Sequence, residues 1–243
     1  MQISIVSYNI EGITLEMNYC NDPSQHFKKY IIEKSNYLNI FLSNLNVDII
    51  CIQEYTAILN IKLEKYFVVK ENRHAIYFLK NKFKYVDHIT NNDIGLVVIL
   101  NMNGFYVNIG TNRLLASNEN KENRNEIMNK IDSFSKNKII IFAIDTNMRN
   151  SEEKIMNNLT DCYYNAKITN GFYTLNKTTN PYFANDNNKK FKFRYDKIFF
   201  SDFFDCEQLN NIIPKTNSNL VNSYYPYGNL SDHYPVLAIL SIN

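Results

Sequence analysis

The chain has 243 residues, a formal net charge of +2, and 45% hydrophobic against 21% charged residues. That balance suits one globular domain spanning residues 1–243 and excludes a disordered or polybasic chain, so any nucleic acid must bind through local patches. With no apolar run near the roughly 18 residues of a membrane helix and no signal-peptide pattern at the start, the expectation is an intracellular monomer, nuclear or cytoplasmic, without a membrane partner.

Residues 2–8 are short, apolar and β-branched, which predicts a buried strand; a polar loop follows to about residue 24. Phe27, Tyr30, Ile31, Lys34, Leu38, Phe41, Leu42 and Leu45 then recur at helical spacing and predict an amphipathic helix. Residues 47–53 read as a second buried strand, and further strands are expected near 74–79, 84–89, 95–100 and 104–109. A second helix is predicted over about 120–136, with Ile127, Met128, Ile131 and Phe134 on one side. It leads into an apolar central strand, residues 138–144. After a polar loop from Asn176 to Lys190, strands resume at 191–200 and 234–242. Cys20, Cys51, Cys162 and Cys206 form no C-x-x-C pair, so buried thiols are expected rather than zinc or disulfides. Strands with interspersed helices over this length suit an α/β fold of two packed sheets with helices outside.

Polar residues stand where the apolar strands stop. Asn9 and Glu11 follow the first strand, Gln53 and Glu54 the second, and Asp145-Thr146-Asn147 the central one. Asp196 lies in the strand at 191–200, and Ser231-Asp232-His233 precedes the last strand. Each alone is an ordinary turn residue. Converging, they would form a cup of carboxylates, amides and one imidazole, a donor set suited to Mg²⁺ rather than zinc. In residues 189–195, Lys190, Lys192 and Arg194 alternate with Phe191, Phe193 and Tyr195. The basic face would suit a phosphate backbone, with solvated lysines on a sheet edge as the rival reading. Arg149, two residues after Asn147, reads as a phosphate contact or a plain surface arginine.

In this order, Ser7-Tyr-Asn-Ile-Glu-Gly12, Ile52-Gln-Glu-Tyr55, Ala143-Ile-Asp-Thr-Asn147, Arg194-Tyr-Asp196 and Ser231-Asp-His233 resemble the motifs of the endonuclease/exonuclease/phosphatase superfamily. Asp145-Thr-Asn-Met-Arg149 and Arg194-Tyr-Asp-Lys-Ile-Phe-Phe200 are most similar to segments of its type 2 tyrosyl-DNA phosphodiesterases. Ile144 stands where the superfamily motif has glycine. Leu175-Asn176 stands where the subfamily has Trp-Asp, and Thr111-Asn112 where it has Ser-His. The resemblance implies a four-layer α/β sandwich of the DNase I type, with two mainly antiparallel sheets flanked by helices. It also implies Mg²⁺, with Mn²⁺ as a substitute, on Glu54 and Asp232, supported by Asn9. Asp145 would act on the attacking water, Asn147 and His233 on the phosphoryl oxygens, and Asp196 on His233. The implied substrate is a nucleic acid, DNA before RNA, carrying a 5′-linked tyrosine from a topoisomerase 2 adduct or a viral protein primer. Other substrates of the same superfamily, or a non-catalytic nucleic-acid-binding decoy, are the alternatives.

Overall fold

A computed structural model describes residues 1–12, 25–153, 155–180, 191–213 and 231–243. Cys20, Lys190, most of the loop expected up to residue 24 and the side chain of Phe27 lie outside the described residues. The strands are β1 (Gln2–Asn9), β2 (Ile49–Gln53), β3 (Tyr66–Glu71), β4 (His74–Leu79), β5 (Lys84–Asn91), β6 (Gly95–Met102), β7 (Phe105–Arg113) and β8 (Ile140–Asp145). They continue with β9 (Thr160–Asp161), β10 (Ile168–Asn170), β11 (Leu175–Asn176), β12 (Lys192–Phe193), β13 (Asp196–Phe200), β14 (Phe204–Asn211) and β15 (Val236–Ile242). The helices are α1 (Gln25–Asn44), α2 (Lys121–Ser135) and the single turn α3 (Cys162–Asn165).

One sheet runs β10-β14-β15-β1-β2-β4-β3 and the other β5-β6-β7-β8-β13-β9. Pairing is mainly antiparallel; β1–β2, β7–β8 and β10–β14 are parallel. The period of two along each strand builds the layers. Ile3, Ile5, Ile49 and Cys51 face Val107, Ile109, Ile141 and Ala143 in a core between the sheets. Their alternates Val6, Tyr8, Ile50 and Ile52 pack under Tyr30, Ile31, Leu38 and Leu42 of α1. On the other side Ile140, Phe142 and Ile144 pack under Met128 and Ile131 of α2. The result is helix, sheet, sheet, helix, as expected. Among the described residues no helix is long and apolar enough to cross a membrane.

Besides the two- and three-residue strands β9, β10 and β11, two longer strands had no clear signal in the sequence. β3 is an edge strand whose residues are mostly exposed, so alternation is weak. In β14 a register shift between Cys206 and Gln208 breaks the period of two. The strand expected over 191–200 is interrupted at Arg194-Tyr195, with β12 and β13 on either side. Ile144, in the glycine position, is wholly buried under α2, so β8 runs straight to Asp145 with a β-branched side chain.

Candidate active site

Along β1, β2, β7, β8 and β13 the face that fills the inter-sheet core ends in polar groups. Ile3 and Ile5 are followed in phase by Ser7 and Asn9, Ile49 and Cys51 by Gln53, and Ile141 and Ala143 by Asp145. Val107 and Ile109 are followed by Thr111 and Arg113, and Phe200 and Ile198 lead back to Asp196. Cross-strand register then sets Asn9 beside Gln53, and Asp145 beside both Arg113 and Asp196. The site is thus the polar end of the core. Its floor is Gln53, whose Nε2 donates to Ser7 Oγ (3.1 Å), Thr111 Oγ1 (2.9 Å) and the Ala143 carbonyl (3.1 Å), linking both sheets.

Where the chain leaves β1, β8 and the Ser231 turn, one local device recurs. Asn9 Oδ1 accepts from the Glu11 amide, Asp145 Oδ1 from the Asn147 amide, and Ser231 Oγ from the His233 amide, at 2.8, 3.2 and 3.1 Å. Such turns tolerate left-handed backbone, and Glu11, Glu54 and Asn147 have φ of 58°, 55° and 49°. Side-chain-bearing residues are rarely held there, at a cost of about 1–3 kcal/mol each. Gly12 completes the packing: a Cβ on it would lie 1.9 Å from the Glu54 carbonyl oxygen.

The side chains form one bonded constellation. Asn9 Nδ2 donates to Glu54 Oε1 (3.1 Å) and Asp145 Oδ2 (2.9 Å), and Asn147 Nδ2 donates to Asp145 Oδ2 (3.0 Å) and the Leu114 carbonyl. His233 Nδ1 lies 2.6 Å from Asp196 Oδ2, and its Nε2 is 3.9 Å from Asp232 Oδ1. Ser231 Oγ donates to the Asn9 carbonyl at 2.7 Å, tying the Asp232-His233 turn to β1. Thr174 Oγ1 accepts from the Tyr195 and Asp196 amides, while its carbonyl accepts from Tyr234 N, so one residue joins the His233 segment to Asp196.

Burial disfavours charge on His233, yet the carboxylates of Asp196, Asp232 and Asp145 outweigh it and hold its pKa well above the ordinary value. The imidazole is therefore a charged donor near neutrality. Burial, aided by Asp196, pushes Asp145 up to about 6 against the opposing pull of His233, Arg113 and Asn9. Lys34, placed by α1 in the core, faces Glu11, Asp232 and Glu54; burial still lowers its pKa. Asp145, Asp196 and His233 bring ligand atoms within 4.8 Å of one another, a cluster of a kind able to hold a metal ion.

Asn9, Glu54, Asp145, Asn147, Asp196 and His233 thus come together, with Asp232 at the rim, its side chain 25% exposed. Arg149 stands beside the constellation, its Nη1 3.4 Å from the Asn147 carbonyl. Lys192 lies farther out, exposed on the β11–β12 ribbon with its Nζ over the Tyr173 ring. Arg194 corrects the expected basic face. Its guanidinium is buried, bonded to Asp161 (3.0 Å) and Glu153 (2.8 Å) and set among the rings of Tyr163, Tyr164 and Phe172. Although burial opposes it, Tyr164, Lys197 and Arg194 push Glu153 down to about 2, so this nest is internally neutralised. The break before β13 removes Arg194 from the alternation, and its guanidinium is engaged by Asp161 and Glu153.

Sequence reasoning missed Arg113, whose Nε lies 2.6 Å from Glu54 Oε1 and 3.8 Å from Asp145 Oδ2. It also missed Asn180, whose side-chain amide donates to the Ser231 and Asp232 carbonyls. For Arg113 the signal was its phase with Val107, Ile109 and Thr111.

No protein-family model and no curated protein matches the chain. Solved structures do. D. rerio TDP2 carrying 14 humanizing mutations superposes with a TM-score of 0.75 at 17% identity over 99% of both chains. D. rerio TDP2 complexed with single-strand DNA product gives 0.74 at 16% identity, again over 99% of both. A Bacteroides thetaiotaomicron mannosyl-6-phosphatase gives 0.66 at 18% identity, over 99% of this chain and 100% of the other. At these identities the likeness is one of architecture: the chain has the DNase I-like fold of the endonuclease/exonuclease/phosphatase proteins.

Proposed function

We propose that the protein is a Mg²⁺-dependent phosphodiesterase that hydrolyses a 5′-phosphotyrosyl bond between a protein or peptide tyrosine and a nucleic-acid 5′ end, leaving a 5′-phosphate. The observation that carries this reading is the hydrogen-bonded set Asn9, Glu54, Asp145, Asn147 with His233 and Asp196, gathered at the ends of strands from both sheets. The oxygen donors of Glu54 and Asp232 fit a hard cation, with Asn9 in support and Mn²⁺ as a substitute. The Asp145–Asp196–His233 cluster fits it less well, because the His233 imidazolium already supplies positive charge there. Glu54 and Asp232 would hold the cation, which when bound would supply charge neutralisation for the phosphate and stabilisation for the departing oxygen.

Asp145 takes a proton from the attacking water as the new P–O bond forms and the bond to the tyrosyl oxygen breaks in line. Its raised pKa, at about 6, makes it a stronger base than a solvated aspartate while leaving it ionised near neutrality. Asn147 and charged His233 donate to the non-bridging oxygens as their charge grows. Asp196 orients His233 through Nδ1, leaving Nε2 for the phosphoryl group. Arg149 and Lys192 contact flanking phosphates. Phenol, with a pKa of about 10, leaves as phenolate without the full protonation an alkoxide needs, so no separate strong acid is required.

The Asp145–Arg149 and Arg194–Phe200 segments and the two TDP2 structures, one with a DNA product, support the tyrosyl reading. Leu175 and Asn176, departing from the tyrosyl enzymes, favour a second one: another phosphoester, as in an abasic or general nuclease, a deadenylase or a sugar- or inositol-phosphate phosphatase. A cleavage panel separates them. It compares a 5′-tyrosyl oligonucleotide, an abasic duplex, plain single strands, poly(A), an inositol phosphate and mannose 6-phosphate, each with Mg²⁺ and with chelator. The expected result is Mg²⁺-dependent preference for the tyrosyl substrate; preference for any other sinks the tyrosyl assignment.

A further inference from the structure

Arg113 is a cation that the proposed chemistry does not call upon, and it touches the carboxylate assigned to the metal. Its Nε is 2.6 Å from Glu54 Oε1 and 3.8 Å from Asp145 Oδ2, and its side chain is 26% exposed. Asn112 holds the backbone beneath it, accepting the Arg113 amide on Oδ1 and donating through Nδ2 to the Asp93 carbonyl. The contact with Glu54 is one of charge more than of direction: the buried Nε has no well-aligned hydrogen-bond acceptor among the described residues. Glu54 and Asp145 share the amide of Asn9, so they are near enough to repel one another. A guanidinium against both offsets that repulsion. A divalent cation carries twice the charge and approaches carboxylate oxygens more closely, so it outcompetes an ill-directed N–H.

We infer that Arg113 is a positioning residue, a resident counter-charge that keeps Glu54 and Asp145 together without a divalent cation and yields Glu54 when one binds. It thereby weakens the site's metal affinity while keeping the metal-free site folded. The partial exposure of Arg113 gives the guanidinium room to withdraw. This inference rests on the reading that Glu54 carries the cation.

The test is calorimetric titration of Mn²⁺ into the chelator-stripped full chain, at low and at high salt, together with thermal melts. Arg113→Gln should bind Mn²⁺ on the order of tenfold more tightly than the wild type at both salt concentrations. Arg113→Lys, which keeps the charge, should stay within about threefold of the wild type. In chelator Arg113→Gln should melt about 5 °C lower, and saturating Mn²⁺ should close that gap. A residue that only stabilises the fold would lower melting temperature and affinity together. Equal or weaker Mn²⁺ binding by Arg113→Gln overturns the inference, as does a tightening that vanishes at high salt, since that reports distant charge. Should Arg113→Gln not stay folded in chelator, Arg113→Met, which retains the aliphatic length, is read in its place against the same expectations. Glu54→Gln should abolish tight Mn²⁺ binding. If it does not, the cation lies elsewhere and the metal reading itself fails, whatever Arg113 does.

Discussion

Asp145 is wholly buried, yet its carboxylate meets Asn9, Asn147 and Arg113. If Asp145 is the base of the proposed reaction, its loss should be felt in chemistry more than in binding. Asp145→Asn should lower kcat by about 10²–10⁴-fold with little change in KM, measured by initial rates on the tyrosyl oligonucleotide. Activity should fall on an acid limb at or below about 6, because protonating Asp145 removes the base and a bound cation pulls its pKa down from the metal-free value. A limb well above that would assign the base elsewhere.

For His233 the sign runs the other way. Its folded-state pKa is raised, so its charge stabilises the fold fully below the unfolded value of about 6.5 and loses that effect as pH rises through the folded value. In chelated protein the stability gap between wild type and His233→Gln should narrow as pH rises above neutrality. NMR should find the His233 pKa lowered by Asp196→Asn. That these residues belong to one site was legible because their types and order are distinctive in sequence. Arg113 looked like any strand residue until its phase with the core was known, and Gln53, though marked as a strand-end polar group, gave no sign of its bonds to both sheets.

At the scale of the strands, Gln53 does more than its motif suggests. A single amide nitrogen serves Ser7, Thr111 and the Ala143 carbonyl across the two sheets, so Gln53→Ala leaves buried polar groups without it. The expected cost is about 2–4 kcal/mol, read as a shifted denaturant midpoint with an unchanged slope. Arg194 tests the corrected strand. Arg194→Met takes the charged partner from Asp161 and one of two from Glu153, and should destabilise by about 3 kcal/mol while leaving KM for an oligonucleotide unaltered. A selective rise in KM would return Arg194 to the phosphate path. The two long helices and most strands were readable from periodicity, whereas the single turn α3 and the short strands β9, β10 and β11 are too brief to carry one. β3, β14 and the break before β13 were not, because edge exposure, a bulge and non-strand residues each erase the period of two.

Over the whole molecule, two sheets share a core whose face runs apolar for most of its length and polar at one end. Chain segments more than two hundred residues apart, Asn9 and Ser231, are bonded there. The two-sheet architecture followed from the strand pattern, whereas the convergence of the five motifs is a matter of register between strands, which no local pattern carries. The central claim is that this polar end directs water onto a phosphorus atom. Cleavage of a 5′-tyrosyl oligonucleotide in ¹⁸O-water with Mg²⁺, analysed by mass spectrometry, tests it most directly. One ¹⁸O should enter the 5′-phosphate and none the released tyrosine, with no reaction in chelator. Label in the tyrosine, or an intact substrate with Mg²⁺ present, would contradict the account.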